Sequence, residues 1–131
     1  HAPRIGHVAM WVSDLDRSCR FYAQHFGARI GPLYENPGKG FRSRFLAFAD
    51  GARLELMSTA MLAPAELAPG AQRMGLTHLA MALGSEAAVD ALTAQLREAG
   101  VPVLDGPRRT GDGYYESVVL DPEGNRIEIT A

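Results

Sequence analysis

Among the residues of this 131-residue chain whose types can hold a metal ion, four occur in matched pairs: His7 with Glu55 and His78 with Glu128. Each stands in a segment that has a counterpart later in the chain. His7-Val-Ala-Met-Trp-Val12 aligns with His78-Leu-Ala-Met-Ala-Leu83. Asp50-Gly-Ala-Arg-Leu-Glu-Leu56 aligns with Glu123-Gly-Asn-Arg-Ile-Glu-Ile129. The histidines are 71 residues apart and the glutamates 73. That difference fits one small insertion in a duplicated module. Two imidazoles and two carboxylates suit a divalent first-row metal. The only cysteine is Cys19, so neither a thiolate cluster nor an internal disulfide can form. A competing reading keeps each His–Glu pair as a structural contact that duplication copied.

The elements that must position these residues follow from periodicity and punctuation. Residues 4–12 read as a strand. A helix capped by Asp14 follows, with Leu15, Cys19, Phe21, Tyr22 and Phe26 as its apolar positions, and Gly27 ends it. A short strand is expected at 28–34, a loop at Asn36–Gly40, and strands at 42–49 and 52–58 joined at Asp50-Gly51. The second copy gives a strand at 77–83 and a helix that Ser85 caps and Gly100 ends. Strands near 101–104, 114–120 and 125–130 complete it, with Asp121-Pro-Glu-Gly124 turning between the last two. The expected fold is α+β: a single domain over 1–131, with βαβββ modules at about 4–58 and 76–131. Residues 59–75 join them as a linker with room for one helical turn.

Strand alternation places His7, Ala9 and Trp11 on one face and Val8, Met10 and Val12 on the other. The same split puts His78, Ala80 and Ala82 opposite Leu79, Met81 and Leu83. Glu55 and Glu128 likewise alternate with aliphatic neighbours. All four candidate ligands therefore lie opposite the helix-packing side. The small residues beside the histidines point to a lined, concave surface.

Composition removes several function classes. Hydrophobic residues make up 47% and the net charge is −2, so a core is expected and no basic footprint for nucleic acid or anionic lipid is present. No apolar run is long enough to span a bilayer. No signal peptide opens the chain, His1 is read as a remnant of trimming rather than a functional residue, and a lone thiol makes the cytoplasm the expected compartment. Cys19 reads as a small buried hydrophobe, with a catalytic thiol as its minor alternative.

The same segments carry a resemblance. Gly6-His-Val-Ala-Met-Trp11, Phe21-Tyr22, Ala52-Arg-Leu-Glu-Leu-Met57, Leu76-Thr-His-Leu-Ala80 and the run Gly111–Ile129 resemble the vicinal-oxygen-chelate superfamily. That superfamily holds glyoxalase I, extradiol dioxygenases, antibiotic-resistance proteins and epimerases. Within it the chain is most similar to short glyoxalase I-like proteins. The resemblance implies two βαβββ modules whose curved, barrel-like mixed sheet cups one metal, with the helices outside. It implies His7, Glu55, His78 and Glu128 as ligands, and Ni, Zn or Co as the ion, with Fe or Mn behind. The implied reaction isomerises the hemithioacetal of methylglyoxal and a thiol through a metal-chelated enediolate. Glu128 is then the base and Glu55 the second catalytic carboxylate. A homodimer acting on a small molecule, such as a glutathione adduct, is the implied assembly.

The chain departs from the glutathione-dependent pattern at two places: Trp11 stands where those relatives carry Arg, and Thr59 where they carry Asn. Trp11, Arg109 and Tyr115 are the candidate substrate contacts, each with a bland alternative. Trp11 could fill core space, Arg109 could be a solvated loop charge, and Tyr114 and Tyr115 could be packing aromatics. Arg53 and Arg126 share the face of the glutamates and suit either solvent or an anionic substrate. His25 reads as a surface residue, and the Lys39-Gly40 loop could act as a lid. An epimerase or extradiol dioxygenase on the same scaffold, or a drug- or metabolite-binding protein without turnover, are the other functions this pattern allows.

Overall fold

The computed structural model describes residues 2–131, which leaves His1 outside the described residues. The chain forms a first unit ending at Glu66 and a second running Leu67–Ala131. Among the described residues they contain two α-helices and two open mixed sheets, one sheet per unit.

In the first unit, β1 (His7–Trp11) leads into α1 (Leu15–Phe26), followed by β2 (Arg29–Ile30), β3 (Tyr34–Asn36), β4 (Phe41–Ala47) and β5 (Arg53–Thr59). The Asp14 carboxylate accepts the Arg17 amide and so satisfies one of the open donors at the start of α1. Gly27 closes the helix at φ 68°, a left-handed cap that a Cβ would oppose. The sheet runs β1-β5-β4-β2, with β3 also on β4. β1 is parallel to β5 because the helix carries the chain back across the sheet, whereas β4 and β5 are antiparallel neighbours. The expected strand over 4–12 is shorter at its front, since only from Gly6 onward does the backbone find partners on β5.

Between β4 and β5 the register runs to Leu46 opposite Leu54. Continued, it leaves Ala49, Asp50 and Gly51 as a three-residue loop, with Gly51 at positive φ, instead of a two-residue turn. Leu46, Leu54 and Leu56 are buried with Leu15, Cys19 and Tyr22 of α1. This is the core that fixes the helix side of the sheet.

The second unit repeats the plan with β6 (His78–Ala82), α2 (Glu86–Glu98), β7 (Val103–Arg109), β8 (Tyr115–Leu120) and β9 (Arg126–Thr130), in the order β6-β9-β8-β7. Ser85 Oγ accepts the Ala88 amide at the start of α2. Val89 and Leu96 bury against Val119, Ile127 and Ile129. β7 extends well past the expected 101–104. It is an edge strand with register shifts on either side of Asp105, and an edge tolerates Pro107 because no ladder hydrogen bond is lost there. Gly106 permits this path. It sits at φ +78°, and a Cβ there would meet the Glu116 carbonyl oxygen at 2.5 Å.

The Asp121 carboxylate accepts the Glu123 and Asn125 amides at 2.9 and 2.8 Å and the Asn125 side chain at 3.0 Å. The turn sets the entry to β9, and so the register of Glu128. Of the expected linker 59–75, the stretch from Leu67 belongs with the second unit, where the Gly70 carbonyl accepts from Arg126 Nη1 at 3.1 Å. A hydrogen-bonded turn at Ala68–Ala71 stands where a helical turn was expected. No helix among the described residues is long and apolar enough to cross a membrane.

Candidate metal centre

Each sheet carries one His–Glu pair, and the two pairs are built alike. In the first, His7 stands opposite Arg53 and Ala9 opposite Glu55. In the second, His78 stands opposite Arg126 and Ala80 opposite Glu128. Each glutamate is thus one row along from its histidine on the same face, and directly across from an alanine. The methyl group leaves room, and the two functional groups turn toward each other. His7 Nε2 lies 3.7 Å from Glu55 Oε1, and His78 Nε2 lies 3.2 Å from Glu128 Oε2. Two donors on one metal, each at about 2.0–2.2 Å, are roughly 3–3.5 Å apart. The second pair has that spacing, and the first is slightly wider.

The rings are oriented differently. Thr77 Oγ1 lies 2.9 Å from His78 Nδ1. With Nδ1–H donating to that hydroxyl, the Nε2 lone pair is left facing Glu128, the arrangement that outer contacts impose on ligand histidines. His7 instead packs edge-on against Phe45, with ring centroids 5.1 Å apart. Both glutamates are half-buried, with Leu54, Leu56, Ile127 and Ile129 closing the opposite side of their strands. The donor set, its matched register and the orienting hydroxyl fit a divalent ion. Among the described residues no three His, Cys, Asp or Glu side chains gather into one cluster, so each unit by itself offers two donors.

One carboxylate near this face was not singled out in the sequence. Glu116 on β8 stands opposite Thr130, which in turn is opposite Ala82 in β6, so it shares the face of His78 and Glu128. Burial, and then the charge of Glu128, push its carboxyl above the usual range, while His78 and Arg108 pull the other way. Its place was legible only as strand parity with Val118.

The expected substrate contacts are distributed unequally. Trp11 is on the His7 face, 49% exposed, and its ring meets Phe41 edge-on at 6.0 Å. Phe41 also meets Tyr34 at 6.0 Å, so an aromatic group occupies the far end of this face. Arg109 and Tyr115 lie on the other side of the second sheet. Arg109 pairs with Glu86, and Tyr115 Oη donates to Asp90 at 2.5 Å, both acceptors belonging to α2. They are not brought to the His78–Glu128 pair, because their parity on β7 and β8 is that of the helix side. Tyr114 is exposed next to the Thr110–Tyr114 turn. His25 packs on Phe21, and burial holds its imidazole below the usual value. The Cys19 thiol is buried and its pKa raised by desolvation, the environment of an inert thiol.

Comparison with known proteins gives the family. Residues 4–129 match the sequence pattern of the Glyoxalase/Bleomycin resistance protein/Dioxygenase superfamily. The chain belongs to this superfamily. The likeness extends over most of the length of individual relatives and to the folds of solved structures. An uncharacterized protein of Pseudomonas aeruginosa is 31% identical, covering 98% of this chain and 89% of its own. A virulence protein of Salmonella typhimurium is 27% identical, covering 97% and 83%. The trypanothione-dependent glyoxalase I of Leishmania major shares the fold with a TM-score of 0.78 at 24% identity, covering 98% of this chain and 86% of its own. A glyoxalase/bleomycin resistance protein/dioxygenase domain from Frankia reaches 0.83 at 19% identity, covering 99% and 98%.

Proposed function

We propose that this superfamily member is a metal-dependent lyase of the glyoxalase I type, isomerising a methylglyoxal–thiol hemithioacetal. The observation that carries the reading is the repeated His–Glu pair. The same two residue types, in the same parallel register opposite an alanine, hold an imidazole Nε2 within 3.7 Å of a carboxylate in both units. In this reading the two pairs serve one ion, with His7, Glu55, His78 and Glu128 as ligands and Ni, Zn or Co as the favoured metals.

Bound there, a divalent ion supplies Lewis-acid stabilisation of negative charge developing on two adjacent substrate oxygens. The chain's own work is to hold the donors and move a proton. Thr77 fixes the His78 ring. Glu128 takes the proton from the hydroxyl-bearing carbon next to sulfur and returns it to the neighbouring carbon, so the isomerisation needs no external oxidant or reductant. In this reading Glu55 is the second carboxylate and serves the other face of the substrate. A homodimer belongs to the same reading, and sedimentation checks it.

The test is metal analysis after growth in metal-replete medium, together with the absorbance assay for hemithioacetal isomerisation. Bound Ni, Zn or Co with turnover is the expected result. Metal with no turnover would move the reading to another metal-dependent chemistry on this scaffold, such as an epimerase or a dioxygenase. Protein that takes up no metal would overturn both and leave a binding protein.

A further inference from the structure

The face that holds His7 and Glu55 also carries a row of cationic residues. Across the first sheet, in the strand order β1-β5-β4-β2, His7 stands opposite Arg53 and Ala47 stands opposite Arg29. Continuing the β4–β5 register past Leu46 and Leu54 sets Ala47 beside Arg53. The row therefore reads His7, Arg53, Ala47, Arg29, with one small residue between two arginines.

A cavity of about 360 Å³ opens over that alanine, lined by Arg29, Arg53, Phe45, Ala47 and Pro32 among others. This is within the size range of small-molecule sites. The Arg53 guanidinium is held 4.2 Å from the centroid of Phe45, the ring that also meets His7. No ion pair among the described residues joins Arg29 or Arg53 to a carboxylate. Glu55, the nearest acid on this face, lies one row on and turns to His7.

We propose that this cavity is an anion subsite, which takes a carboxylate or phosphate of the substrate while the reacting end lies at His7–Glu55. The inference rests on the reading of that pair as part of the reaction centre. The physical case has three parts. Two guanidiniums two strand spacings apart, roughly 10 Å between their Cα atoms, have side chains long enough to converge over a methyl group. Planar guanidinium forks match carboxylate and phosphate oxygens bidentately. The partly buried Phe45 ring carries the Arg53 guanidinium and fixes one wall of the opening. At the opposite end of the face, the Trp11–Phe41–Tyr34 group offers no cation. The face thus orients a substrate with its acidic end toward Arg53.

The test uses the metal-free full chain, so that its readout does not need turnover. Acetate, free glutathione and inorganic phosphate are titrated separately, followed by NMR at the Gly31 and Ala47 amides. Saturable shifts are expected there, with affinity about tenfold weaker in Arg53→Met and in Arg29→Met, the loss of one good ionic contact. Arg97→Met on α2 should leave it unchanged. Acetate or glutathione shifting those amides identifies a carboxylate, and phosphate alone identifies a phosphoryl group. Either supports the subsite. No shift from any probe, or wild-type affinity in both variants, overturns it. In the turnover assay, Arg53→Met should raise KM for the glutathione hemithioacetal about tenfold, and by clearly less for the 2-mercaptoethanol adduct, which carries no carboxylate. Anion binding without any hemithioacetal turnover would leave the subsite standing and overturn the proposed reaction.

Discussion

Ala80 lies directly across the β6–β9 pair from Glu128, and the space beside its methyl group lets the glutamate turn toward His78 at 3.2 Å. Ala9 stands in the same relation to Glu55. A larger side chain at either place would occupy the volume into which the donors turn. Ala80→Leu should therefore weaken metal binding by about tenfold or more with little loss of stability, because the residue is exposed rather than part of the core. Metal titration and thermal unfolding check the two halves of this expectation. Unchanged metal affinity would refute the spatial argument.

Thr77 touches the site only through the His78 ring, at Nδ1. Thr77→Val keeps the shape and removes the hydroxyl. Metal affinity should fall by about 10–100-fold, the usual cost of losing an outer hydrogen bond to a ligand histidine, while Thr77→Ser should restore it. Competition with a chelator measures both.

Glu128→Gln keeps the size of the side chain and removes its basicity. If Glu128 moves the proton, kcat should drop by about 10²–10⁴-fold while the unfolding temperature stays close to wild type. Glu55→Gln, at the second carboxylate, should lower both metal content and kcat. Retained turnover in Glu128→Gln would refute its assignment as the base.

Behind the second sheet, Thr93 Oγ1 donates to the Val89 carbonyl at 2.6 Å and lies 2.7 Å from Ser117 Oγ, with both residues fully buried. Thr93→Val would strand the serine hydroxyl in the core. A loss of about 1–3 kcal/mol is expected, with part of it recovered in Thr93→Val/Ser117→Ala. Denaturant unfolding of the single and double variants provides the comparison.

Burial raises the Cys19 thiol above its ordinary value of 9.0. The folded chain therefore holds that proton more tightly than the unfolded chain. The resulting stability is fully present below the unfolded value and is lost as pH rises through the folded one. Wild type should lose more stability than Cys19→Ala on going from pH 8 to pH 10 (roughly one pH unit either side of the unfolded thiol). Native protein at pH 8 should resist alkylation that goes rapidly once the chain is unfolded.

Much of the plan could be read from residue order. Asp14 and Ser85 mark both helix starts, and Gly27 marks the end of α1, because caps and left-handed positions are local chemistry. The faces of His7, Glu55, His78 and Glu128 followed from strand alternation alone. What escaped were features that depend on a neighbouring strand. The register shifts of β7 arise from its pairing with β8. The front of β1 is set by where β5 offers partners. Arg109 and Tyr115 looked available to substrate, yet their side chains turn to Glu86 and Asp90, a choice made by the docking of α2.

By itself the sequence determined the repeat, the α+β plan and which His and Glu residues pair, since periodicity, capping and residue chemistry act over a few positions of chain. Only tertiary structure decided the separation of each His–Glu pair, the position of Glu116 beside Glu128, and the placing of Arg29 and Arg53 on either side of Ala47. Each of these joins residues on different strands, and strand register is fixed by the packing of the whole sheet against its helix rather than by any local preference.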